Sequence, residues 1–116
     1  MSRSKVAVLK TTPETVIPDY ARLMKLADFE TALPKDKDTI LKINISWHYY
    51  FPACSTTPWQ LDGVIRKLRA EGYGSLIPAQ NRTVVVDPKI GAVRNHLAPV
   101  VDKHGIEILK PLRKRW

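Results

Sequence analysis

Between Thr57 and Gly72 the sequence marks both ends of a helix, and that segment constrains how its neighbours can run. Thr57 is a natural N-cap, Pro58 suits the first helical position, and Gln60 completes a Thr-x-x-Gln capping box. Leu61, Val64, Ile65 and Leu68 recur at i, i+3, i+4 and i+7, giving one apolar face, while Arg66, Lys67 and Arg69 occupy the others. Asp62 and Arg66 stand four apart and can pair. Gly72 supplies the stop. A strand-like run lies on each side: TILKINI (Thr39–Ile45) before the helix and SLIPAQ (Ser75–Gln80) after it. Pro78 marks the second run as an edge or a strand end. A helix between two such runs is the crossover that links parallel strands.

The alternation extends in both directions. KVAVLK (Lys5–Lys10) is Val-rich and reads as a strand buried on both faces. Tyr20, Leu23, Met24 and Ala27 then fall at helical spacing, with a start either at Thr12 before Pro13 or near Pro18. Further on, Thr83–Val86 is β-branched and reads as a strand, and Asp87 before Pro88 resembles a helix start. Pro99 denies one uninterrupted helix; a helical segment is expected to reach His104 and close at Gly105. IEILK (Ile106–Lys110) reads as a last strand. The expectation is one α/β domain over residues 1–116, with three layers, a mostly parallel sheet of about four strands and Rossmann-like crossovers. No covering helix follows the last strand. That strand is therefore expected to be an edge, open to self-association or a partner subunit, or the chain to be the front portion of a larger fold.

The bulk properties narrow the function classes. With 116 residues the chain suits a single domain. No apolar run approaches the roughly 20 residues of a membrane span, and MSRSKVAVLKTT has no signal-peptide apolar core. One cysteine cannot close an internal disulfide or assemble a zinc or iron–sulfur site. A cytoplasmic location is expected, with no metal site. Half of the net charge of +8 comes from Lys110, Arg113, Lys114 and Arg115 in the closing KPLRKRW. Residues 111–116 read as a basic tail, either solvated or, as the alternative function, in contact with nucleic acid. No recognition helix or RNA-binding aromatic motif accompanies it.

Chemistry-bearing residues gather in SWHYYFPACSTT (Ser46–Thr57), about a dozen residues at the carboxyl end of the second strand. Connections of this class usually take about 2–6 residues, and longer ones are often functional. Open α/β sheets bind ligands at that end of their strands. Ser55, Thr56 and Thr57 set three hydroxyls beside the N–H groups of a helix start, a natural place for a phosphate or carboxylate. Capping and turn formation also account for them. Lys42 and Asn44 share a strand face and can reach a ligand at its end. Trp47, Tyr49, Tyr50, Phe51 and Trp59 either stack on a planar ligand or pack the loop on its domain. Cys54 and His48 are the candidate nucleophile and base, a pairing that the sequence leaves without geometry. No GxGxxG or Walker loop is present, and Gly72 and Gly74 around Tyr73 read as structural.

TILKINISW followed by PACSTTPWQLDGVIRKL resembles the strand, Lys-x-Asn and Thr-Thr-x-Pro-helix pattern of the domain-of-unknown-function 362 family. The later NRTVVVDPKIGAVRNHLAPVVDKHGIEIL is similar to that family's following segment, so the likeness covers roughly Lys5 to Leu109. The resemblance implies a prokaryotic α/β protein of uncharacterised activity, expected to be part of a redox-associated enzyme; members of the family are typically longer and some carry ferredoxin-type iron–sulfur modules. This chain has no Cys-x-x-Cys-x-x-Cys run, so no cluster is expected within it. The pattern singles out Lys42, Asn44, Thr56, Thr57 and Pro58 without giving any of them a catalytic role. The functional expectation is an anionic small molecule bound at the loop and the helix start.

Overall fold

The helix marked from Thr57 forms as its sequence specifies. In the computed structural model, which describes residues 3–80 and 87–109, α3 spans Pro58–Ala70 and the Thr57 hydroxyl accepts the Gln60 N–H at 3.3 Å. It follows α1 (Val16–Leu26), α2 (Phe29–Ala32) and β1 (Thr39–Lys42), and precedes β2 (Leu76–Ala79), α4 (Pro88–Arg94) and α5 (Ala98–Lys103). β1 and β2 pair in parallel from Thr39↔Leu76 to Lys42↔Ala79, with α3 as their crossover.

The three-layer, Rossmann-like sheet of about four strands does not form: the described residues hold five helices and one two-stranded sheet. Residues 5–10 make no ladder, and Val6 and Val8 are 81% and 84% exposed instead of buried on both faces. The last run contributes one parallel bridge, Ala79↔Leu109, where the Leu109 N–H meets the Pro78 carbonyl at 2.7 Å. The expected strand Thr83–Val86 lies outside the described residues. β-branched composition makes a segment fit for pairing, but a ladder also needs a neighbour at the right register, and composition does not supply one.

Three helices end in the same lock. After α3, the Tyr73 N–H reaches the Leu68 carbonyl at 3.0 Å and the Gly72 N–H reaches Arg69 at 3.1 Å. After α5, Ile106 bonds Val101 and Gly105 bonds Asp102, both at 3.0 Å. After α4, Leu97 bonds Ala92 at 2.9 Å and His96 bonds Val93 at 3.1 Å. These pairs are Schellman closures, which require a left-handed residue at the turn. Gly72 and Gly105 provide it at φ 90° and 67°; at α4 it is His96, at φ 60°. Each lock delivers a buried residue to the core: Tyr73, Leu97 and Ile106.

That core joins Ile43 and Ile45 to Leu61, Ile65 and Leu68 of α3 and to Ala92, Val100 and Val101 of the last two helices. α1 packs across α3 at Gly63. A Cβ there would lie 2.9 Å from Tyr20 Cβ and 3.1 Å from the Ile17 carbonyl oxygen, so the two helices approach to a distance that only glycine permits. The start of α1 is held by Asp19, whose Oδ2 accepts the Thr11 and Thr15 hydroxyls at 2.7 Å each. Those hydrogen bonds, with help from Arg22, hold the Asp19 carboxyl below its ordinary value.

Candidate functional site

Beyond Lys42 the chain stays extended enough to bury Ile43 and Ile45 while Asn44 and Ser46 face water. Its two edges have different partners. The Ile43 N–H donates to the Ala79 carbonyl at 2.9 Å on the β2 side. On the other side the Asn44 N–H donates to Thr56 Oγ1 at 2.8 Å, and the Thr56 N–H returns to the Asn44 carbonyl at 2.8 Å. Next along, the Ser46 N–H donates to Ser55 Oγ at 3.1 Å. The loop over residues 46–57 therefore closes back on the strand that launches it.

This brace brings together most of the residues singled out in the sequence. Asn44 Nδ2 donates to Ser46 Oγ at 2.7 Å and to the Cys54 carbonyl at 3.2 Å, and Ser46 Oγ donates to that same carbonyl at 2.9 Å. Ser55, Thr56 and Thr57 each use their oxygen to accept a main-chain N–H. A hydroxyl that accepts still carries its own O–H, so three donors are left, held in place by those accepted bonds. The first turn of α3 contains no acidic side chain, so nothing on the helix itself neutralises the partial positive charge of its N-terminus.

Lys42 and His48 have other partners. The Lys42 ammonium donates to Gln80 Oε1 and to the Ile43 carbonyl, both at 3.2 Å, bridging the carboxyl ends of β1 and β2. Gln80 is buried, and its Nε2 donates to the Ile45 carbonyl at 3.3 Å. His48 Nε2 accepts the Asp87 N–H at 2.9 Å, and no hydrogen bond joins it to Cys54, an exposed thiol. The aromatic residues of the loop divide in a similar way. Trp47, Tyr49, Tyr50 and Phe51 remain substantially exposed, although Tyr50 sets its edge against the His96 ring at 4.7 Å. Trp59 helps line a groove of about 520 Å³ with Thr11, Thr12, Pro13, Val16 and Ile17, opening beside the start of α3.

Two features of this region are absent from any sequence motif. Asn95 is fully buried; its Nδ2 donates to the Trp47 carbonyl at 2.8 Å and to Gly91 at 2.9 Å, which ties the loop to the end of α4. On the far side of α3, buried Asp62 does more than pair with Arg66 at 3.1 Å. Its Oδ2 takes Lys103 at 2.9 Å and its Oδ1 takes His104 at 2.7 Å, clasping α5 onto α3. Burial pushes this carboxyl up, but hydrogen bonds from Lys103, Arg66 and His104 together outweigh it and hold Asp62 well below the usual carboxylate range. The i+4 spacing gives Arg66; nothing local gives the other two.

Lys110, Arg113, Lys114 and Arg115 lie outside the described residues. Among the described residues no three His, Cys, Asp or Glu side chains gather into a metal-binding set, and no helix is long and apolar enough to cross a membrane. No protein-family model matches the chain, no curated protein matches it in sequence, and no solved structure matches its fold.

Proposed function

We propose that the chain binds a small molecule bearing a phosphate or carboxylate, with the anionic group at Ser55–Thr57 and the first turn of α3. The observation that carries this reading is the use of those three hydroxyls: each accepts a main-chain N–H and keeps its own hydrogen to donate. The helix start beside them has no acid in its first turn to compete for the site. Lys42 supports the reading as a source of charge, since among the described residues its ammonium contacts only neutral oxygens at the carboxyl end of the sheet. Asn44 positions the Thr56 hydroxyl through its main-chain N–H, and its side chain holds the neighbouring Ser46 hydroxyl and Cys54 carbonyl. The groove walled by Val16, Ile17 and Trp59 offers an apolar surface for the rest of the ligand.

A titration with inorganic phosphate, followed by amide chemical shifts, tests this. Saturable shifts are expected at Thr56, Thr57 and Trp59 with millimolar affinity, about 4 kcal/mol. Thr56→Ser should bind as the parent does, while Thr56→Val and Lys42→Ala should bind several-fold more weakly. Shifts centred elsewhere, or no effect of either weakening substitution, would rule the site out.

A further inference from the structure

Residues 5–10, Lys-Val-Ala-Val-Leu-Lys, run towards α1 without a turn or bend, and their exposure alternates. Ala7 and Leu9 are half-buried, and Leu9 lines a recess on α1 with Val16, Tyr20 and Leu23. Val6 and Val8 project the other way and are among the most exposed apolar side chains described. Alternation with a period of two is the pattern of a strand seated on one face. Yet no main-chain N–H or carbonyl of residues 5–10 hydrogen-bonds to any described residue. Natural proteins usually protect a free strand edge with inward charges, proline or a bulge. Here the outward face carries two valines, and the only proline nearby is Pro13, beyond the segment.

The charges around the segment narrow what fits it. Arg3, Lys5 and Lys10 bracket the valines, none of them is in an ion pair with a described residue, and the first acid in the chain is Glu14. A second copy would oppose these cations with the same cations on a chain of net charge +8. We propose that residues 5–10 are a docking edge for an extended segment of a partner polypeptide, with aliphatic side chains at alternate positions between acidic residues. Main-chain bonds supply the attachment, Val6 and Val8 meet the partner's aliphatic residues, and Lys5 and Lys10 meet its carboxylates.

The probe is the peptide acetyl-Glu-Val-Thr-Val-Thr-Val-Glu-amide, fluorescently labelled for anisotropy and unlabelled for hydrogen exchange on the full chain. Saturable binding is expected, with at least tenfold slower exchange at alternate amides within residues 5–10. Replacing both glutamates by lysine should weaken binding at least tenfold. Val8→Pro should do the same with an unchanged melting temperature, because the Val8 N–H has no partner among the described residues. N-methylation of the peptide on one edge should abolish binding and leaves the protein untouched. Equal affinity for the lysine-flanked peptide, indifference to Val8→Pro and N-methylation, or the absence of saturable binding would overturn the proposal. Concentration-dependent protection of the same amides without peptide would assign the edge to a second copy and also overturn it.

Discussion

His48 Nε2 accepts the Asp87 main-chain N–H at 2.9 Å, across 39 residues of sequence, so the aromatic loop is fastened to the residue that caps α4. The Asp87 carboxylate in turn accepts the Lys89 and Ile90 N–H groups at 2.9 and 3.2 Å. To accept at Nε2, the neutral ring must carry its proton on Nδ1. Long-range proton–nitrogen correlation should show His48 in the Nδ1–H tautomer. His48→Ala should lower stability by about 1 kcal/mol through loss of this bond. A spectrum of the Nε2–H tautomer would contradict the contact.

Acid should loosen the clasp between α3 and α5. Asp62 has a folded-state pKa below its unfolded value, so its contribution is complete above about pH 4, near the unfolded carboxylate pKa. It is lost as the pH falls from there towards the folded value. Denaturant melts should show stability declining below about pH 4, with a shallower decline in Asp62→Asn. At neutral pH Asp62→Asn should cost about 1–2 kcal/mol, less than a fully buried pair, because Arg66 and Lys103 stay half-exposed and can hydrate.

Gly63→Ala should destabilise the protein by about 1–3 kcal/mol, although alanine is the better helix former by about 1 kcal/mol. The new methyl would meet Tyr20 Cβ at 2.9 Å and the Ile17 carbonyl at 3.1 Å, and neither can swing aside as a flexible side-chain end would. A thermal melt decides the sign. A rise in melting temperature would mean that α1 and α3 do not approach this closely.

His96→Gly should stabilise by up to about 1 kcal/mol. A left-handed non-glycine residue costs roughly 1–2 kcal/mol, more than the extra unfolded-state entropy of glycine, roughly 0.5–1 kcal/mol. The edge contact with the exposed Tyr50 ring is lost in exchange. His96→Val, β-branched at φ 60°, should destabilise. Urea unfolding of the two variants should place them on opposite sides of the parent.

The local signals in the sequence carried through to the structure where the physics is local. Thr57 and Asp87 cap the helices that follow them, and Gly72 and Gly105 close α3 and α5, because each acts within one turn of its own position. The sheet was misread at residues 5–10 and at the final run, since pairing depends on a distant edge and Val-rich composition says nothing about whether one is there. The same limit applies to the candidate site. Crowding of hydroxyls at Ser55–Thr57 was visible, but which N–H groups their oxygens accept was not. Asn95 holds the loop from 48 residues away, and His96 stands where the glycine pattern would have announced a helix end.

The reciprocal bonds between Asn44 and Thr56 also separate the loop's length from the sheet's stability. A chain pinned at both ends contributes to folding mainly through the entropy of closing its excursion, which grows only as the logarithm of its length. Among the described residues, the side chains between Tyr49 and Ala53 make two ring contacts, Tyr49 with its loop neighbour Trp47 and Tyr50 with His96, apart from the turn in which the Cys54 and Ser55 N–H groups meet the Phe51 carbonyl. Doubling the whole loop would cost about 0.6 kcal/mol, less than the loss of one buried methyl group. Residues 49–53 are therefore where this fold can lengthen, shorten or exchange its surface at little cost to the core, and where divergence in sequence would change what the molecule meets before it changed what the molecule is.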